Sequence, residues 1–163
     1  MLRRTVVVTV SVAALAAGGC GNSSTTPTTS SSPTTTPTIT IVSNPADATA
    51  APSSDPSYQF STSFALTLTE SAGVAVTIRS IGANLQQAAG GIVVTPPTGL
   101  SEAFRFQVRA PGNRLEANGT MQIGFSFLYT LPQPGQEALV TVSFTFVDDA
   151  GNVYPQTAQV KVV

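Results

Sequence analysis

From residue 39 onward, apolar and polar positions alternate with a period of two, the pattern of strands that bury one face. Ile39 and Ile41 open a short strand. Tyr58, Phe60, Thr62, Phe64, Leu66 and Leu68 line one face of a longer one, with Gln59, Ser61, Ser63, Ala65 and Thr67 on the other. Val74, Val76 and Ile78 repeat the pattern, and then the parity slips to Ile81, Ala83 and Leu85, which predicts a β-bulge near Ser80. Leu85 to Ala89 has room for one helical turn at most, and Ile92 to Val94 is an apolar run closed by Pro96-Pro97. Phe104, Phe106 and Val108 alternate with Arg105, Gln107 and Arg109. Met121, Ile123, Phe125, Phe127 and Tyr129 form the next strand, Ala138, Val140, Val142, Phe144 and Phe146 another, and Ala158, Val160 and Val162 the last.

Turn-forming pairs fall between these runs: Asn44-Pro45, Ala72-Gly73, Gly90-Gly91, Gly112-Asn113, Asn118-Gly119, Pro134-Gly135 and Gly151-Asn152. No long segment carries a helical period. Residues 39–163 therefore predict an all-β domain, an antiparallel sandwich of seven to eight strands. A body of that size buries about two-thirds of its unfolded surface, enough for stability without disulfides.

The pattern upstream is different. Met1 to Arg4 give a short basic start, and Thr5 to Ala17 follow without a charge, mostly Val, Ala and Leu. This is the order of a secretory signal peptide, and the run is shorter than the ~20 residues a membrane span needs. Ala16-Ala17-Gly18-Gly19-Cys20 then resembles the lipobox of bacterial lipoproteins, with Ala17 where that family prefers Leu. The resemblance implies that residues 1–19 are a cleaved leader and that Cys20 carries a diacylglycerol and an N-terminal acyl chain such as palmitate. Two such anchors hold a protein stably to a bilayer. Cys20 is the one cysteine, so no internal disulfide is available, and lipidation accounts for an unpaired thiol in an oxidising compartment. In that family an Asp after the cysteine commonly marks inner-membrane retention, so Gly21 there favours the outer membrane of the cell envelope if the organism is diderm. Asn22 to Thr38 contains only Asn, Ser, Thr and Pro. Residues 20–38 are thus expected to be a disordered tether, able to reach roughly 50 Å if extended as polyproline II at ~3.1 Å per residue.

In the C-terminal third, Leu131-Pro132-Gln133-Pro134-Gly135 precedes one strand, and Asp148-Asp149-Ala150-Gly151-Asn152 turns into the final one. These motifs resemble the last two strands of bacterial immunoglobulin-like and fibronectin-III-like domains. The resemblance implies an immunoglobulin-like sandwich and assigns no activity. There is no cysteine pair, no tryptophan, and no tyrosine where a tyrosine corner would place one.

Charge and chemistry narrow the function. Seven basic and eight acidic side chains give a net charge of −1, and loss of Arg3 and Arg4 with the leader leaves five against eight. That balance speaks against nucleic acid, which needs clustered Lys and Arg. With no histidine in the chain, Ser-His-Asp and Cys-His devices and His-bound metal are excluded. The remaining enzymatic route is a carboxylate pair drawn from Glu70, Glu102, Glu116, Glu137, Asp148 and Asp149, most of which fall at strand ends or turns, where solvated charge is ordinary. No catalytic residue and no cofactor is assigned. Asp148, Asp149 and Asn152 supply oxygens that calcium accepts, though one hairpin offers fewer than the six to eight such an ion takes and all three are good turn formers. Arg105 and Arg109 share one strand face, suited either to an anionic ligand or to a solvated sheet edge. Tyr58 and Tyr129 fall in phase with core positions, leaving Tyr154 as the tyrosine expected at the surface, where one tyrosine without tryptophan is a poor platform for stacking on a sugar. The expectation is a non-enzymatic envelope lipoprotein whose domain contacts a protein or surface partner, with a polysaccharide-binding module as the alternative.

Overall fold

The structure is a computed structural model that describes residues 35–163; the leader, Cys20 and most of the tether lie outside the described residues. From Thr36 the chain forms one compact unit made entirely of strands and loops. Seven strands span six residues or more: β1 (Ile39–Asn44), β4 (Phe60–Glu70), β5 (Val76–Ala89), β7 (Ala103–Arg109), β9 (Thr120–Thr130), β10 (Ala138–Asp148) and β11 (Val153–Val162). Four two-residue bridges complete the set: β2 (Asp47–Ala48), β3 (Ala51–Pro52), β6 (Ile92–Val93) and β8 (Arg114–Leu115). One sheet runs β1-β4-β9-β7, with β3 also on β4; the other runs β2-β11-β10-β5-β6, with β8 also on β5. All pairings are antiparallel except β2 with β11.

The alternation seen in the sequence sorts side chains between core and solvent. Phe64, Leu66 and Leu68 from β4 and Ile123, Phe125, Phe127 and Tyr129 from β9 are buried from one sheet, and Val140, Val142, Phe144 and Phe146 from β10 with Val160 and Val162 from β11 from the other. Phe125 meets Phe144 edge-on at 6.4 Å, while Phe64 stacks at 5.5 Å on Phe125 and 5.8 Å on Phe127. Aromatic pairs at such spacings add to the area they bury.

The parity slip in β5 becomes a bulge. Thr145 faces Ser80 and Phe146 faces Ile78, leaving Arg79 as the extra residue. It returns Ile81, Ala83 and Leu85 to the inner face. Leu85 to Ala89 forms no helical turn: β5 continues to Ala89 because β10 and then β6 pair with it through Gly90-Gly91. The corner between β9 and β10 is closed by Tyr129, whose hydroxyl donates to the Gln136 carbonyl at 2.9 Å. Burial pushes its phenol up to about 12, so it remains a donor.

Candidate functional site

The carboxylates are distributed among separate structural tasks. Glu70 is 1% exposed. Its Oε1 accepts the main-chain N–H groups of Thr38 and Ala72, and its Oε2 those of Gly73, Val74 and Asn118, at 2.8–3.2 Å. Burial alone raises a carboxyl; these amides outweigh it and leave Glu70 below its ordinary value. Glu102 accepts the N–H of Gln87, and Gln87 in turn spans to both the N–H and the carbonyl of Gln133. Glu137 buries an Oε2 with no hydrogen-bond partner among the described residues. Glu116 sits 3.4 Å from Arg114 at the surface.

The Asp148–Asn152 hairpin is similarly occupied. Asp148 Oδ1 accepts the N–H groups of Ala150 and Asn152, and Oδ2 accepts the Asn152 amide and the Tyr154 hydroxyl, each at 2.8–3.0 Å. The Asn152 side chain lowers the Asp148 pKa most, against a smaller rise from burial. Asp149 is held by both terminal nitrogens of Arg114 at 2.8 and 2.9 Å, and that guanidinium depresses it. The oxygens considered for calcium are thus engaged within the protein: Asp148 by four donors, Asp149 by an arginine fork. No grouping of three or more acidic, cysteine or histidine side chains with metal-binding spacing occurs among the described residues. Tyr154, expected at the surface, is half-buried against the core. Its position in phase with Ala158, Val160 and Val162 carried that information. Burial, then Asp148, raises its phenol.

What remains free is the outer face of the first sheet. Arg105, Gln107 and Arg109 project from β7, all exposed, while Phe104, Phe106 and Val108 turn inward and are only half-buried because β7 is the last strand of its sheet. Neither Arg105 nor Arg109 has an ion-pair partner among the described residues. Register aligns Arg109 with Gly124, Ala65 and Asn44 in one row across β7, β9, β4 and β1. The small residues in that row, flanked by Ser63 and Ser126, leave an open depression of about 400 Å³ bounded by Arg109 at one rim and Asn44-Pro45 at the other. The two arginines were legible in the sequence but the depression was not, because its floor and rims come from four strands distant along the chain.

No family model and no curated protein matches the sequence. Among solved structures, the chain is similar to a Bordetella pertussis protein described as ApaA, at 17% identity and a TM-score of 0.47, covering 78% of this chain and 92% of that one. It is also similar to the secreted serine protease VesC of Vibrio cholerae, at 10% identity and a TM-score of 0.40, covering 63% of this chain but 19% of VesC.

Proposed function

We propose that this chain is a lipid-anchored cell-envelope protein whose immunoglobulin-like sandwich is a non-catalytic contact module for a protein or surface partner. The fold reading is supported by the strand order. With β1, β4, β7 and β9 as A, B, D and E, and β5, β10 and β11 as C, F and G, the sheets have the ABED and CFG arrangement of that class. The contact reading is carried by one observation: Glu70, Asp148 and Asp149 are engaged by internal donors, whereas two arginines with no ion-pair partner among the described residues stand with a glutamine on an edge strand. A catalytic pair needs two carboxylates facing one cleft, and Glu70 and Asp148 are saturated by internal donors instead. The depression beside Arg109, rimmed by hydroxyl and amide groups, favours polysaccharide as the second reading.

The anchor is tested at Cys20. Intact mass of the native protein from membranes should show residues 1–19 lost and diacylglycerol and acyl mass added at Cys20. Cys20→Ser should leave the precursor uncut or release the domain from membranes. An unmodified thiol in the membrane-derived protein would remove the anchor, and crosslinked envelopes that repeatedly return no partner would remove the contact role.

A further inference from the structure

We propose that the free edge of β7 docks an extended acidic polypeptide segment, which joins the first sheet as an added strand. Three features of Ala103–Arg109 meet there. β9 pairs with one side of β7, and no other main-chain hydrogen bond reaches these residues among the described ones, so the outer edge keeps N–H and C=O groups free for a strand. Phe104 and Phe106 contact Phe127 on their covered side, yet both remain half-buried with Val108, leaving apolar surface that the inward side chains of a further strand would cover. Arg105 and Arg109 present cations four residues apart on the outer face, without ion-pair partners among the described residues.

Charge selects the occupant. Two copies of β7 paired antiparallel about Gln107 would set Arg105 against Arg109 twice, and like charges directly opposed across strands are unfavourable. A segment with carboxylates four residues apart turns both repulsions into attractions. The complementary pattern is apolar residues alternating with polar ones, with Asp or Glu at the two positions opposite the arginines. Edge arginines commonly discourage strand pairing; here both point outward, leaving the backbone and the inner apolar row accessible, so they discriminate among partners.

This rests on the contact-module reading, but peptide binding in solution does not depend on lipidation or location, so its failure leaves the anchor test untouched. The probe is a blocked seven-residue peptide, Val-Glu-Val-Thr-Val-Glu-Val, titrated against the full chain by fluorescence anisotropy, with amide hydrogen exchange as the second readout. The glutamate peptide should bind and slow exchange across 103–109. A lysine-for-glutamate peptide, or one N-methylated along the pairing edge, should bind at least about tenfold more weakly. Arg105→Glu with Arg109→Glu should reverse the preference between the glutamate and lysine peptides; both sites are exposed, so the fold is retained. Binding that ignores N-methylation, or that leaves exchange in 103–109 unchanged, overturns strand addition. A polygalacturonate oligomer that binds as well as the peptide and leaves 103–109 unprotected assigns the arginines to an acidic glycan and overturns it as well.

Discussion

Glu70 ends β4 with a buried carboxylate serving five main-chain N–H groups from three stretches of chain: Thr38 before β1, Ala72 to Val74 after β4, and Asn118 before β9. Nothing in its sequence neighbourhood distinguishes it from a solvated acid at a strand end. Ala72, Gly73 and Val74 lie in the turn that follows it, but only the topology adds Thr38 and Asn118, so the full role was not legible beforehand. Hydrogen bonds to a charged group contribute about 1.5–3 kcal/mol each, and an unsatisfied buried donor costs about 1–3 kcal/mol. Glu70→Gln replaces one acceptor oxygen with an NH₂ facing main-chain donors, and should destabilise the fold by about 2–4 kcal/mol. The pH dependence has a fixed sign. The folded-state pKa lies below the ordinary 4.5, so the contribution is complete above that value and is lost as pH falls through the lowered one. Asp148 and Asp149 are also lowered, so wild type loses stability in acid from several groups. The gap between wild-type and Glu70→Gln melting temperatures isolates Glu70: it should be constant above about pH 5 and narrow toward pH 3. A gap independent of pH would show that the carboxylate is not the acceptor described.

At the scale of elements, the seven long strands were readable because one-sided burial imposes period two, and even the bulge in β5 showed as a parity slip beside Arg79. What escaped were the bridges β2, β3 and β8 and the end of β5, while β6 falls in the apolar run Ile92 to Val94. Ala88 and Ala89 carry little alternation, and are held in strand by cross-pairing with Val93 and Ile92. The turn leading into β9 shows a similar limit. Asn118-Gly119 reads as a turn, with Asn118 in the left-handed region at φ +54°, but the demand on Gly119 is spatial. A Cβ there would lie 2.8 Å from the Glu116 carbonyl oxygen, which already accepts the Gly119 N–H. Since Gly119 also accepts the N–H of Glu70, moving it would disturb the amide cluster. Gly119→Ala should therefore cost about 1–3 kcal/mol in denaturant unfolding. Gly112→Ala, where a Cβ meets nothing within 4 Å, should change stability by less than about 0.5 kcal/mol. Equal effects at the two sites would refute the close-approach explanation.

For the molecule as a whole, two sheets with open edges must avoid pairing with other copies while the chain carries only seven basic and eight acidic side chains in 163 residues. On the second sheet the bridge β2 covers only Lys161 and Val162 of β11, whose remaining edge carries Pro155, whereas β7 presents seven residues without proline or bulge. Short edges and outward charge are the usual protections against such pairing, and on β7 the protection falls to Arg105 and Arg109. In a symmetric pair each Arg105 faces the other copy's Arg109, two like-charge contacts of about 0.2–1 kcal/mol each. Replacing both by threonine removes that repulsion, raises strand propensity, and keeps the inner Phe104, Phe106 and Val108 row unchanged. Arg105→Thr with Arg109→Thr should therefore associate at concentrations where wild type sediments as a monomer, and its amides in 103–109 should gain exchange protection as it does. Raising salt should move wild type in the same direction, because screening weakens exposed charge repulsion, and should leave the variant unaffected. A wild type that already pairs through β7 at low salt, or a variant that stays monomeric, would mean that the arginines do not govern this edge.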